Sequence, residues 1–387
     1  MKKLFSLISC SVLFIGFIAC NQANSTNNGE EKKEEETTVD KRDNTTDIFK
    51  QEVISTKISN PWGITWLDKD KALITEKKGI VYILEKDEVT DSISGLPKTY
   101  TSNQAGYLDI AIHPNHEENG WIYMTYAKPQ GDGGSTTLIR FKLDGNKAID
   151  LEELYQTLPV TNAGVHFGSR IIFDNAGYLF FSTGERGVKE NAQDLTNDMG
   201  KIHRLKDDGE IPSDNPFYDE AGAKKSIWTY GNRNVQGMVY DSVNDKIYAT
   251  EHGPKGGDEL NLIEKGANYG WPVITYGIDY DGSIISDLTE KEGMEQPLHY
   301  WDPSIATCGL MLYTGDKFPE WKNDIFSGAL AKTHVARISL DKDDKLENEE
   351  KLLEGIGRVR QVAQSPDGYV YVLTEGPGQV VKLSPSK

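Results

Sequence analysis

Ser169-Arg-Ile-Ile-Phe-Asp174, followed four residues on by Tyr178-Leu-Phe-Phe-Ser-Thr-Gly-Glu185, decides the fold. A short apolar segment ends in Asp, a turn follows, and a second strand-like segment closes on Thr or Tyr. β-branched and aromatic runs of this length, bounded by Asn-Ala-Gly or Asp-Gly turns, read as paired strands. The same phrase recurs along the chain. Trp62-Gly-Ile-Thr-Trp-Leu-Asp68 leads to Ala72-Leu-Ile-Thr-Glu76, and Tyr107-Leu-Asp-Ile-Ala-Ile-His-Pro114 leads to Trp121-Ile-Tyr-Met-Thr-Tyr126. Gln236-Gly-Met-Val-Tyr-Asp241 precedes Lys246-Ile-Tyr-Ala-Thr-Glu251, and Gly309-Leu-Met-Leu-Tyr313 precedes Asp324-Ile-Phe-Ser-Gly328. Arg360-Gln-Val-Ala-Gln-Ser-Pro-Asp-Gly368 precedes Tyr369-Val-Tyr-Val-Leu-Thr-Glu375.

Six copies begin at intervals of roughly 45 to 70 residues, the size of a propeller blade with loop insertions. No long segment of helical period interrupts them. One such unit cannot bury both faces, whereas six sheets packed radially bury them all and leave only short edges. The pattern therefore predicts an all-β, six-bladed β-propeller with four-stranded blades over residues 49–387. A β-sandwich, or two separate β domains, is the competing arrangement.

Upstream of the repeats the chain changes character. Lys2 and Lys3 precede a short apolar stretch, Leu4 to Ile18, and a small residue, Ala19, as in a secretory signal peptide. Phe17-Ile-Ala-Cys20 resembles a bacterial lipobox, with Cys20 as the lipidated first residue of the exported chain. Residues 21–47 contain no aromatic residue and are rich in Asn, Thr, Glu and Lys. Such a stretch cannot bury enough apolar area to fold, and serves as a flexible tether with a reach of roughly 30 Å. The sequence thus predicts a signal peptide at 1–19, a lipidated Cys20 with a tether to 48, and a domain anchored to the membrane and facing the periplasm or the cell exterior. After processing only Cys308 remains for the folded domain, which excludes an internal disulfide. A net charge of −18 argues against nucleic acid as a partner.

Loops on one face of a propeller converge on its axis, so a site there draws on residues far apart in sequence. Three clusters of unusual polar residues stand at blade starts. His166, in Gly164-Val-His-Phe-Gly-Ser-Arg170, carries the side chain best suited to taking a proton near neutral pH; a structural turn histidine is the other reading. Arg233 and Asn234, in Tyr230-Gly-Asn-Arg-Asn-Val-Gln-Gly237, combine a guanidinium with a carboxamide suited to gripping oxygen anions. Arg358 and Arg360, two apart in an extended segment, are expected to share a face, which requires an anion between them; the alternative is a surface pair on an edge strand. The stretch Glu251-His-Gly-Pro-Lys-Gly-Gly-Asp-Glu259, ending further on in Asn268-Tyr-Gly-Trp-Pro272, sets carboxylates among glycines. That suits an oxygen-liganded cation such as calcium, though the spacing is not that of an EF-hand.

Taken in order, these motifs resemble the soluble glucose/sorbosone dehydrogenase family, over nearly all of 55–385. The resemblance implies a six-bladed propeller that uses pyrroloquinoline quinone (PQQ) and Ca2+ to oxidise aldoses at C1 to the lactone, with electrons passed to an external acceptor. It also implies roles. His166 is similar to the general base; Arg233, Asn234, Arg358 and Arg360 match PQQ contacts. Gln104, in Gln104-Ala-Gly-Tyr-Leu-Asp109, matches a residue lining the sugar site, and Trp301, in His299-Tyr-Trp-Asp-Pro303, is placed on the pocket wall. The carbonyls of Gly253 and Pro254 match those holding the calcium beside PQQ, while Glu259 and Tyr269 match ligands of a second, structural calcium. Three departures stand out. Val235 replaces the usual proline. Val165 stands where glucose-active members place an acid. Ala331 occupies the position of a PQQ-touching lysine, with Lys332 one step on. A calcium-dependent lactonase or esterase propeller needs no such arginine set, and a non-catalytic sugar- or protein-binding propeller needs no His166. Those residues separate the three readings.

Overall fold

The structure is a computed structural model that describes residues 48–386. The expected signal peptide, the lipidation site Cys20 and the tether up to residue 47 lie outside the described residues. Within them, six four-stranded antiparallel sheets form six blades. Blade 1 comprises Pro61–Asp68, Lys71–Glu76, Ile80–Glu85 and Glu88–Ser92. Blade 2 comprises Tyr107–Ile112, Ile122–Gln130, Gly133–Asp144 and Lys147–Gln156. Blade 3 is built from Ile171–Phe173, Leu179–Thr183, Lys201–Leu205 and Ile227–Tyr230, and blade 4 from Val235–Asp241, Lys246–Glu251, Asp258–Leu262 and His299–Trp301. Blade 5 holds Thr307–Leu312, Ile325–Ala329, His334–Leu340 and Leu346–Leu352. Blade 6 takes Arg358–Gln364, Val370–Glu375 and Gln379–Pro385, and its outermost strand is Phe49–Ser55 from the other end of the domain. That pairing runs from Phe49 opposite Pro385 to Ser55 opposite Val380 and closes the ring. The only α-helix among the described residues is the single turn His116–Asn119.

Strands buried on both faces need apolar residues on both faces, and Leu179–Thr183 is buried throughout. Each blade-to-blade interface carries its own apolar cluster. Tyr123 and Leu138 meet Leu179 and Phe181 between blades 2 and 3. Trp66 and Ile74 meet Tyr371 and Leu373 where blade 1 meets blade 6, with the Trp66 and Tyr371 rings edge to face at 5.2 Å. Hydroxyls on second strands lace neighbouring blades together: Thr75 donates to the Leu108 carbonyl, Thr125 to that of Ser169, and Ser182 to that of Val235.

Five of the six inner strands shift register near their first residues, between Pro61 and Ile64, Tyr107 and Ile110, Val235 and Gly237, Cys308 and Leu310, and Val359 and Gln361. A bulge re-aims the side chains beside it. Here it brings residues from all blades together around Arg170. This guanidinium bonds Asp109 Oδ1 (2.9 Å), the Gln236 carbonyl (2.7 Å) and the Arg360 carbonyl (3.2 Å), lies 4.1 Å over the Trp62 ring and reaches Cys308 Sγ at 4.0 Å. One buried arginine therefore touches every other blade and plugs the axis.

Candidate active site

His166 sits ahead of the inner strand of blade 3 in the left-handed region, at φ 54°. That conformation costs about 1–3 kcal/mol for a residue with a Cβ, and its surroundings hold it. The His166 N–H donates to Gln104 Oε1 (2.8 Å), and the His166 carbonyl lies against Gly184, where a Cβ would come within 2.2 Å of it. The imidazole Nδ1 makes a short hydrogen bond to Glu185 Oε2, which also accepts the Gly187 N–H at 3.0 Å. Burial pushes the Glu185 carboxyl up, but the hydrogen bond and charge of His166, with help from Arg233 and Gly187, outweigh it and hold the group below its ordinary range. A carboxylate accepts only, so Nδ1 carries a proton; whenever the ring is neutral, Nε2 is then an acceptor with no protein partner among the described residues.

Blade 4 supplies the adjoining wall. The Glu185 N–H donates to the Arg233 carbonyl (2.9 Å), which ties the two blades at the site. Arg233 Nη1 bonds the carbonyls of His252 (3.1 Å) and Gly253 (2.9 Å), while its Nε–H is buried without an acceptor. Asn234 Oδ1 accepts the Gly168 N–H (3.0 Å), so its NH2 end is the one left for a ligand. Burial, with the charges of Arg233, Arg360, His166 and Arg358, holds His252 far below the usual histidine range, and the ring is neutral. Its Nε2–H faces Gln236 Oε1 at 3.2 Å.

Behind this wall Glu251 and Glu259 stand directly opposite each other on neighbouring strands. Like charges so placed repel. Burial pushes Glu251 up to about 7, and burial together with the Glu251 charge pushes Glu259 well above its ordinary value. Asn261 Nδ2 bridges the pair (3.2 and 3.1 Å), and its own Oδ1 is buried without a partner. A cavity of about 10 Å³ lined by Glu251, Glu259, Gly253, Tyr269 and Thr275 lies here, room for about one water or ion. Two facing carboxylates, an orphaned amide oxygen and a pocket of that size fit a hard cation. Among the described residues no group of three or more His, Cys, Asp or Glu is placed to hold a metal, so amide and backbone oxygens would complete the set. The Tyr269 hydroxyl is not available: it donates to the Leu262 carbonyl (2.6 Å) and accepts the Glu264 N–H (2.9 Å). Only its carbonyl can serve. The Gly253 carbonyl already takes one hydrogen bond from Arg233, while that of Pro254 has no donor among the described residues.

Two expectations need correction. Arg358 and Arg360 do not project alike, because the bulge between Val359 and Gln361 breaks the strand's alternation. Arg360 turns into the axis, where it bonds Glu375 (2.8 Å), Gln236 Oε1 (2.7 Å) and Cys308 Sγ (3.3 Å). Arg358 stays half-exposed, 3.8 Å from the same carboxylate. The anion between them is Glu375 itself. Trp301 is not on the wall beside His166. Its indole packs in the core between blades 4 and 5, and Nε1 donates to Glu349 (3.0 Å). Lys332 lines that outer cleft as well, not the axis. Sequence reasoning gave no role to Glu185 or Glu375, and took Glu251 only as part of the carboxylate-rich stretch suited to a cation. Their signal was present in the repeat, since second strands end Thr75-Glu76, Thr250-Glu251 and Thr374-Glu375, and Glu185 follows the end of its strand, Thr183, by two residues.

A carboxylate-backed imidazole with an arginine and an asparagine beside it, where three strands of a six-bladed ring begin, is an arrangement able to move a proton. The profile of the family described as Glucose / Sorbosone dehydrogenase matches residues 58–382. The chain is 39% identical over 342 residues to the aldose sugar dehydrogenase of Escherichia coli, covering 86% of this chain and 92% of that one. It is 26% identical over 421 residues to quinoprotein glucose dehydrogenase B of Acinetobacter calcoaceticus, covering 86% and 87%. The crystal structure of the soluble E. coli aldose sugar dehydrogenase in its apo-form superposes with a TM-score of 0.84 at 37% identity, over 87% of this chain and 99% of that one. This chain belongs to the glucose/sorbosone dehydrogenase family, a family of sugar oxidoreductases.

Proposed function

We propose that the protein is an exported, lipid-anchored aldose dehydrogenase that oxidises sugars at C1 to the lactone with PQQ and Ca2+. The His166–Glu185 pair carries this reading. Its ionised, buried carboxylate fixes the imidazole tautomer and leaves Nε2 free to take the proton of an anomeric hydroxyl. As that proton arrives, Glu185 stabilises the imidazolium without leaving its place. Gln104 holds the backbone of His166 and offers its amide NH2 to the sugar. When bound, PQQ supplies the quinone carbon that accepts the C1 hydride, the redox step that no side chain offers. The unpaired Arg233 Nε–H, the Asn234 amide and the half-exposed Arg358 fit a tricarboxylate. Arg360, already paired with Glu375, contributes field more than contact. The carbonyls of Gly253 and Pro254 would hold the calcium beside the cofactor. Glu259, Glu251, Asn261 Oδ1 and the Tyr269 carbonyl would hold a second one. The name of the quinoprotein relative supports PQQ as the cofactor.

Oxidation of one aldose releases two electrons and two protons, so an external acceptor must take the electrons. An exported position anchored at Cys20 suits that exchange. The test is reconstitution of the purified protein with PQQ and Ca2+, followed by dye reduction with a panel of aldoses. Activity that needs both additions is expected. Hydrolysis of lactones without PQQ, or no PQQ binding at all, would sink the reading.

A further inference from the structure

Arg186 follows Glu185 in the chain, and the reaction described above gives it no part. Its side chain is buried against the loop that carries His166. Nη1 donates to the Val165 carbonyl, and Nη2 donates to the carbonyls of Ala163 and of Gly134, the latter at 3.2 Å. The guanidinium carbon lies 3.5 Å from the centroid of the Phe167 ring. One side chain therefore holds both residues that flank His166 and reaches a third point on blade 2.

The loop needs that support. Residues 163–167 belong to no strand. No backbone N–H among the described residues reaches the carbonyl of Ala163 or of Val165, so the guanidinium is what satisfies them. His166 and Arg186 both stand in the left-handed region, at φ 54° and φ 64°. Such conformations persist only where the surroundings over-determine them. Burial pushes the Arg186 pKa down to about 10, against the pull of the Glu185 charge, so the group is still a cation at neutral pH. Its own loop is anchored in turn. Asn191 Nδ2 donates to the Glu185 carbonyl (3.0 Å), and Lys201 Nζ donates to the carbonyls of Asn191 (2.8 Å), Ala192 (3.0 Å) and Met199 (2.6 Å).

We propose that Arg186 is a positioning residue for proton transfer, which fixes the main chain of His166 while Glu185 fixes its ring. Two neighbours in sequence thus set two points of one side chain, and two points are needed to set the direction of Nε2. With Glu185 alone, the ring would keep its hydrogen bond while the backbone beneath it shifted, and Nε2 would swing away from the anomeric hydroxyl. A lysine does not replace the guanidinium, because a single ammonium cannot bridge three carbonyls and stack on Phe167 at once. The inference rests on the reading of His166 as the base of an aldose dehydrogenase.

The test uses Arg186→Ala and Arg186→Lys on the protein loaded with PQQ and Ca2+. In both, kcat for glucose is expected to fall about 10²-fold, the scale on which a misplacement of about 1 Å costs rate. KM and the affinity for PQQ are expected to stay as in wild type. In a His166→Ala background the loss should vanish, since Arg186 acts through that side chain. A second readout needs neither cofactor nor turnover. Nitrogen-15 NMR of the histidines, above the titration of the ring, should show His166 fixed as the Nδ1–H tautomer in wild type and averaged between tautomers in both variants; His166→Ala assigns the signal. Arg186→Lys carries the test if Arg186→Ala does not fold. Unchanged kcat with an unchanged tautomer overturns the proposal, and so does an equal loss of rate in the His166→Ala background. A wild type that oxidises no aldose overturns the central reading instead, and the tautomer then judges the Arg186 clamp by itself.

Discussion

Glu185 and Glu251 both stand where the second strand of successive blades gives out, Glu185 two residues beyond its strand and Glu251 as the last residue of its own, and they have opposite electrostatic fates. Glu185 faces an imidazole and is held ionised although buried. Glu251 faces another carboxylate and is pushed up to about 7. Two further blades use the position differently again: Glu76 accepts the Ser59 and Asn60 N–H groups, and Glu375 binds Arg360. The repeat supplies a buried acid at the mouth of each of these blades, and the partner decides its work. Glu185, beside a chargeable imidazole, is held ionised. Glu251 accepts the Arg233 N–H (2.6 Å) and the Asn232 and Asn261 amides, yet burial still raises it.

The comparison breaks most visibly at the His166–Glu185 pair. His166→Ala should lower kcat for aldose oxidation by about 10³-fold, within the usual range for loss of a general base, with PQQ affinity little changed. Measuring kcat beside cofactor binding checks both halves. Glu185→Gln keeps the shape but removes the charge that supports the imidazolium. A loss of about 10²-fold is expected, since a buried partner that orients a proton-transferring group commonly matters on that scale. If Glu185→Gln left kcat untouched, the carboxylate would be only a structural anchor for the Gly187 turn.

The other half of the comparison is tested with the metal. Calcium at a hundredfold excess over its Kd should stabilise the wild type by about 2.7 kcal/mol, read as a rise in Tm on titration. Glu259→Gln should abolish most of that rise while leaving the metal-free Tm equal or higher, because it removes one of two facing buried acids. A calcium response that survived Glu259→Gln would place the ion elsewhere.

Much of this was legible in advance because both propeller and site are repetitive. The six paired strand phrases predicted six blades, and His166, Arg233 and Asn234 stand where blade starts put them, at the axis. Three things were not legible, for physical reasons. Phe49–Ser55 pairs with Gln379–Pro385 across the whole domain, and no local pattern encodes so distant a partner. The inner-strand bulges break the period-2 rule that set Arg358 and Arg360 side by side. The role of each terminal glutamate depends on what the next strand or blade presents, and nothing in Thr250-Glu251 distinguishes it from Thr374-Glu375. Trp301 is a similar case, since an aromatic between prolines in the sequence reads alike whether it faces a ligand or, as here at the end of a strand, the core.

The smallest expected effect separates the two acids by pH. Glu251 has a folded pKa raised to about 7 against an ordinary value of 4.5, because burial disfavours its charge. A raised value means the folded state binds the extra proton. The stability this group contributes is therefore complete below about pH 4.5 and is lost as pH rises through 7. Glu185 has the opposite sign. Its folded value is depressed, so its contribution is present above the ordinary carboxylate range and is lost as pH falls through the folded value. In metal-free protein, the difference in stability between wild type and Glu251→Gln should therefore turn against the wild type by about 1–2 kcal/mol between pH 5 and pH 8. The difference between wild type and Glu185→Gln should grow in favour of the wild type over the acid side of the range. Urea unfolding of the three proteins at fixed ionic strength measures both slopes, and groups common to all three cancel. Calcium should flatten the Glu251 slope, because it binds the deprotonated acid and takes over the role of the proton. Parallel slopes for the two variants would mean that burial at Glu251 and the imidazole at Glu185 do not set the charge of these acids.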